Sequence, residues 1–196
     1  MKLRLLIPFL VAVALLGACS SGDSDPDDAT TTTEPTESAD TSAPEEDQGL
    51  VLTSAAFGEG EAIPARYGCD GDDISPQLLW SGVPEDAAEL ALVMDDPDAP
   101  EPPFVHWVAY GLAPSMLELI EEQEADGFVY GTNSAGSTGY LGPCPPPGDG
   151  EHRYVFTLYA LDEEASLGPG ASAEELRSAM EGHILEEATL SGLYER

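Results

Sequence analysis

The chain has 196 residues, 38 Asp and Glu against 6 Lys and Arg, and a formal net charge of −32. A field this negative repels nucleic acid and anionic lipid surfaces, so neither is expected as a charge-driven partner. Lys2 is the only lysine, and so acidic a surface suggests adaptation to high salt, where screening makes self-repulsion tolerable.

The first elements are an address rather than a fold. Lys2 and Arg4 form a short basic region, and Leu5 to Leu16 is an apolar run broken only by Pro8. It is too short for a comfortable membrane span and ends in the small residues Gly17 and Ala18. That is the anatomy of a cleavable export signal over residues 1–18. The tetrad Leu16-Gly17-Ala18-Cys19 resembles the lipobox of bacterial lipoproteins, in which the Cys becomes the lipidated N-terminus. Buried acyl methylenes of a palmitate-like chain on Cys19 would then hold the protein at the cell membrane, facing the extracytoplasmic side, without a spanning helix. The other reading is an ordinary signal peptide with an incidental Cys. Residues 20–48 carry many acids, no base and no aromatic or large aliphatic residue. Such a segment buries too little to offset ordering entropy and is expected to be an extended, disordered tether.

Residues 49–196 are expected to form one domain. Short apolar runs at Leu50–Phe57, Leu90–Met94, Phe104–Leu112 and Arg153–Leu161 lie between Pro- and Gly-rich punctuation and read as strands. Their spacing predicts a mostly β sandwich rather than alternating βαβ units. Ser172 with Glu175 is a capping box, and Leu176, Ala179, Met180, His183 and Ile184 then fall on one helical face, with His183 structural. A shorter helix is predicted over Ser115–Gln123, and a last strand over Ala188–Tyr194. Period two places Phe104, His106, Val108 and Tyr110 on one face, and His152, Tyr154, Phe156 and Leu158 on another. Each His thus stands near a strand start, where strands open into loops. Trp80 and Trp107 read as core, Asp95 as a solvated strand-end acid, and Arg153 as the partner of an acid. Cys69 and Cys144 remain beside Cys19. Export permits a disulfide between them, and two separate free thiols are the alternative.

Two segments carry chemistry. One is Asp95-Asp96-Pro97-Asp98-Ala99-Pro100 with Pro103-Phe104-Val105-His106-Trp107 after it. The other runs Gly142-Pro143-Cys144-Pro145-Pro146-Pro147-Gly148-Asp149-Gly150-Glu151-His152-Arg153-Tyr154. A Pro-dense loop has little conformational freedom to lose and can present N–H groups and a His to an anion. Carboxylates beside imidazoles raise the imidazole pKa and fix its tautomer. The difficulty is that Asp96 and Asp98 repel an anion, unless they hydrogen-bond its hydroxyl, a cationic headgroup or the histidines.

In this order the two segments resemble the signature regions of the phosphatidylethanolamine-binding protein family, in its bacterial and archaeal, Raf-kinase-inhibitor-like branch. Tyr67-Gly68-Cys69-Asp70-Gly71, Ser75-Pro76-Gln77-Leu78 and Trp80-Ser81-Gly82-Val83-Pro84 look like the family's early region. Gly182 to Leu185 and Leu190 to Tyr194 look like its end. The resemblance covers residues 50–196 and implies a β-sandwich with peripheral helices and a small anion pocket at one end. Carried over, the pocket uses Asp96, Asp98, His106, the Gly142-Pro143 turn, His152 and Tyr154, with Phe104 as an apolar wall. It implies a phosphate-like anion or phospholipid headgroup as ligand, and no cofactor. An exported chain has no evident access to a cytoplasmic kinase, so that role is not carried over.

Three other readings compete with this one. A zinc site lacks the short paired ligand spacings of common motifs. A serine hydrolase would need Thr132-Asn133-Ser134-Ala135-Gly136 to be a nucleophile elbow, but its first Gly is missing and no triad is indicated. A surface-presented inhibitor or regulator of an exported protease or other protein is the alternative to ligand binding. The reading is a binding protein, not an enzyme.

Overall fold

The computed structural model describes residues 49–100 and 103–196. The predicted export signal, Cys19 and the acidic segment to residue 48 lie outside the described residues. The described chain forms two sheets. The smaller is three-stranded, in the order β1 (Val51–Ser54), β3 (Leu78–Ser81), β6 (Glu118–Leu119). The larger is six-stranded, in the order β2 (Glu61–Ala62), β9 (Ile184–Tyr194), β8 (His152–Leu161), β4 (Glu89–Asp96), β5 (Phe104–Leu112), β7 (Val129–Tyr130). Its four long strands pair antiparallel throughout.

Leu52, Leu78, Trp80 and Leu119 of the small sheet pack with Leu90, Leu92, Met94, Trp107, Phe156 and Leu158 of the large one. The opposite face of the large sheet is covered too. Ala91, Val93, Val108, Tyr110 and Leu161 meet Ala173, Leu176 and Met180 of the single described α-helix, α1 (Ala173–Met180). A strand covered on both faces has no solvent side, so β4 reads as an unbroken apolar run instead of an alternation. Both tryptophans are core, as expected.

The α1 capping box is present in full: the Ser172 hydroxyl accepts from the Glu175 N–H, and the Glu175 carboxylate accepts from the Ser172 N–H. Ser172→Ala should therefore cost about 1 kcal/mol, read as a lowered urea midpoint. The helix is shorter than its periodicity suggests. Gly182 turns the chain at φ +83°, His183 N–H closes onto the Met180 carbonyl, and Ile184 already starts β9. His183 is consequently not on an apolar helical face; it is half-buried in the turn, 2.9 Å from Asp162. The last strand correspondingly begins four residues before its expected start.

The predicted Ser115–Gln123 helix is replaced by a turn and the edge strand β6. The Met116 carbonyl accepts the Trp80 indole N–H at 2.6 Å, the Leu117 carbonyl accepts the Trp80 backbone N–H at 3.0 Å, and Leu119 is fully buried. Extended pairing to β3 buries Leu119 and gives the backbone partners that an isolated two-turn helix would lack. At the other end, Leu50 and Phe57 are buried as expected, yet the strand between them spans only Val51–Ser54. The Ser54 hydroxyl bonds the Gln77 carbonyl and the Ala56 N–H, which turns the chain out of the sheet.

Candidate functional site

Because β4 runs antiparallel to both neighbours, its C-terminal Asp96 lies beside the first residues of β5 and β8. That single fact of register brings DPDAP, His106 and His152 to one end of the large sheet. Adjacent strand residues point to opposite faces. Only Asp96 reaches the site; Asp95 turns away, 2.6 Å from Arg177 of α1, and is not the solvated acid expected.

His106 is aimed by a bulge. Asp95 pairs with Val105 and Met94 with Trp107, so His106 is the extra residue on β5. Bulges re-aim a side chain in this way beside functional sites. The consequence corrects the simple alternation. His106 lies 4.9 Å from the Phe104 ring and edge-on to Tyr154 at 5.1 Å, while Val108 and Tyr110 belong to the core on the other face. The β8 alternation holds as read, with His152, Tyr154, Phe156 and Leu158 all buried.

The surroundings shift the two imidazoles in opposite directions. His106 Nδ1 lies 2.8 Å from the Leu141 carbonyl, which can only accept, so Nδ1 carries the proton and Nε2 presents a lone pair. Burial lowers the His106 pKa, against the opposing pull of that carbonyl and of Asp96, and favours the neutral ring. The expectation that neighbouring acids raise a pocket histidine therefore fails here. It holds at His152, where burial opposes the charge but Asp96 and Asp149 outweigh it and raise the pKa. Its Nδ1 donates to Asp96 Oδ2 at 2.8 Å, and Nε2 lies 3.4 Å from Asp149 Oδ2. The Tyr154 hydroxyl is buried and has no hydrogen-bond partner among the described residues. Burial first, then the Asp96 charge, raises its pKa and keeps it a protonated donor.

Asp98 sits at the rim. Its carboxylate accepts Arg153 Nε and Nη2, each at 2.9 Å, and the Arg153 backbone N–H at 3.0 Å. Arg153 thus has the acidic partner expected of it. These bonds hold the Asp98 pKa down at about 2. A depressed folded pKa stabilises above the ordinary value of 3.8 and stops doing so as pH falls through about 2. Arg153→Ala should return Asp98 toward 3.8 in a carboxyl NMR titration, with little change in stability, since the pair is largely exposed. Glu101 and Pro102 lie outside the described residues.

The Gly142-Pro143 turn is held by a second loop. Gly142 N–H donates to Asp73 Oδ1 at 2.7 Å, Cys69 N–H to the Pro143 carbonyl at 3.1 Å, and Tyr140 OH to the Tyr67 carbonyl at 2.8 Å. A Cβ on Gly142 would collide with the Tyr67 carbonyl oxygen and with Asp73. Cys69 and Cys144 are bonded, with Cα atoms 5.4 Å apart, which decides between the two readings of these cysteines. Asp73, Asp149 and the Leu141 carbonyl were not foreseen as site groups. Asp149 is signalled by its place three residues before His152, whereas nothing local marks Asp73.

Other features carry less. Thr132–Gly136 is a turn built on Asn133, whose Oδ1 accepts the N–H groups of Ala135 and Ser137. A hollow of about 520 Å³ lies at the opposite end of β4, lined by Glu89, Tyr110, Phe128 and Leu167 among others. Its buried carboxylate accepts from Gly111 and Ala165, which ties the 162–168 loop to β5. Among the described residues, no group of three or more His, Cys, Asp or Glu is placed to hold a metal ion, and no helix is long and apolar enough to cross a membrane.

Comparison with known proteins shows the family and the fold. The model of the phosphatidylethanolamine-binding protein family matches residues 53–195. The UPF0098 protein of Methanothermobacter thermautotrophicus is 51% identical over 152 residues, covering 75% of this chain and 99% of that protein. A Mycobacterium tuberculosis protein named as a lipoprotein, LppC, is 38% identical over 192 residues, covering 95% of this chain and 92% of the relative. Among solved structures, a phosphatidylethanolamine-binding protein homologue from Chlamydia trachomatis superposes with a TM-score of 0.71 at 43% identity, covering 76% of this chain and 98% of that one. YbcL of E. coli superposes with a TM-score of 0.71 at 28% identity, covering 75% and 98%.

Proposed function

This chain belongs to the phosphatidylethanolamine-binding protein family, and we propose that it is a binding protein, not an enzyme, whose site at the end of β4, β5 and β8 takes the phosphorylated end of a small headgroup. The observation that carries this is the meeting of His152, held through Nδ1 by Asp96, with His106, held through Nδ1 by the Leu141 carbonyl, and a Tyr154 hydroxyl without a partner among the described residues. A phosphomonoester offers matching groups: oxygens for the imidazolium and the phenol to donate to, and in its singly protonated form a hydroxyl for His106 Nε2 to accept from. The polar groups hold one another in place, as recognition requires.

The surroundings refine the ligand. Among the described residues, Asp96, Asp98, Asp149 and Glu151 have His152 and Arg153 beside them as counter-charges. Bare phosphate meets an excess of negative charge there, whereas a headgroup that also carries an ammonium satisfies both signs. Phosphoethanolamine is therefore the better probe. Full-length alignment with a relative named as a lipoprotein supports the reading of Cys19 as a lipid anchor that holds this site at the extracytoplasmic face of a membrane.

The test is calorimetric titration of the full chain with phosphate, phosphoethanolamine and zinc, at high and low salt. Saturable phosphoethanolamine binding, tighter than phosphate and lost in His106→Ala/His152→Ala, is the expected result. Zinc binding alone would replace this reading with a metal site. No binding at all would discard the ligand reading in favour of a protein partner. Fatty-acid labelling of a bacterial host expressing the chain should mark the wild type and spare Cys19→Ala; labelling of both would remove the anchor.

A further inference from the structure

We propose that the Cys69–Cys144 disulfide is a reducible latch on the ligand site, so that thiol–disulfide exchange switches binding off; this rests on the ligand reading above. Three observations place it there. First, the bond joins the two loops that build the site's floor. The 140–144 loop supplies the Leu141 carbonyl that fixes the His106 tautomer, and Leu141 N–H returns to the His106 carbonyl at 3.0 Å. The 67–73 loop holds that loop through Asp73, Cys69 N–H and the Tyr67 carbonyl. Second, the bond lies outside the packed interior: Cys144 is exposed and Cys69 half-buried, and neither belongs to the two packed cores. Third, an Arg196 guanidinium nitrogen lies 3.3 Å from Cys144 Sγ. A cation there stabilises a thiolate, and a stabilised thiolate is the better leaving group.

The exchange follows. The thiolate of a small dithiol attacks Cys69 Sγ, the S–S bond breaks, and its electron pair leaves on Cys144 Sγ beside Arg196. The reductant's second thiolate then attacks its own sulfur in the mixed disulfide and releases Cys69 thiolate. The dithiol is oxidised to a disulfide by two electrons and the protein gains two thiols. Asp70 shares the Arg196 guanidinium at 3.0–3.1 Å and moderates its effect. The chain's charge of −32 disfavours anionic reductants. With the staple gone, the 140–144 loop is free to leave the arrangement that positions His106. If one molecule in ten retains that arrangement, apparent affinity falls about tenfold.

The experiment uses the full chain in high salt, oxidised or reduced with dithiothreitol, beside Cys69→Ala/Cys144→Ala. Phosphoethanolamine affinity is measured by calorimetry, the His106 ring titration by NMR, and folding by circular dichroism. The expected result is a folded reduced protein that binds about tenfold more weakly, whose His106 titrates closer to an ordinary histidine. Arg196→Ala should slow the reduction itself. Equal affinity and an unmoved His106 in both forms would overturn the latch, and so would global unfolding on reduction, which would make the bond purely structural. If the oxidised chain binds nothing, the ligand reading fails on its own, and the His106 titration still decides whether the bond controls the site.

Discussion

Asp96→Ala is expected to destabilise the domain by about 3–5 kcal/mol and to abolish headgroup binding. Asp96 is 3% exposed, accepts His152 Nδ1 at 2.8 Å, and accepts the Asp98 N–H at 2.9 Å through its other oxygen. Truncation leaves a buried imidazole with no counter-charge on Nδ1 and frees the turn that carries Asp98. The loss is a large part of the roughly 5–15 kcal/mol that holds a typical domain together, so urea unfolding should be followed in high salt. The pH dependence identifies the cause. The folded pKa of His152 is raised above 6.5, so its stabilising contribution is complete below 6.5 and fades as pH rises through the folded value. The variant keeps the burial that disfavours charge and loses the carboxylate that offset it. The gap between wild type and Asp96→Ala should thus be widest on the acidic side and narrow toward alkaline pH. A gap independent of pH would show that Asp96 acts through the turn and not through His152.

Removing the disulfide as Cys69→Ala/Cys144→Ala should lower stability by about 4 kcal/mol, from the loop entropy of a 75-residue separation. For a domain of this size that is a fall in Tm of about 8–16 °C. The two cores contain neither cysteine, so the variant should unfold cooperatively at its lower Tm, checked by calorimetry. A Tm change of only a degree or two would mean that the Asp73, Cys69 N–H and Tyr67 contacts already restrain the loops unaided. Lower ionic strength should lower the Tm of both forms, since the charge of −32 is then unscreened. A domain equally stable with and without salt would end the high-salt interpretation.

Site residues were readable where chemistry is local and obscure where it is not. DPDAP and the segment ending in His152 announce themselves by composition, and the β8 alternation places His152 beside Tyr154 correctly. His106 stands beside them, but its surroundings differ from the period-two expectation. A bulge shifts the alternation by one residue, and no local signal in Phe104–Leu112 marks it. Asp73 escaped notice because its role is to hold Gly142, sixty-nine residues away in sequence. The Ser115–Gln123 helix failed for a related reason: nothing near Met116 discloses that Trp80 will bond its carbonyl.

By itself, then, the amino-acid sequence determined the sandwich class, the capped start of α1 and the two segments that the fold brings to one end of the large sheet. These depend on periodicity, side-chain type and turn chemistry, which act over a few residues. Tertiary structure alone decided which side of β5 His106 faces, which imidazole has its pKa raised and which lowered, that Asp98 is taken up by Arg153, and that Cys69 meets Cys144. Each of these depends on strand register and on loops meeting across the sandwich, so the energies that settle them exist only once distant segments have been packed together.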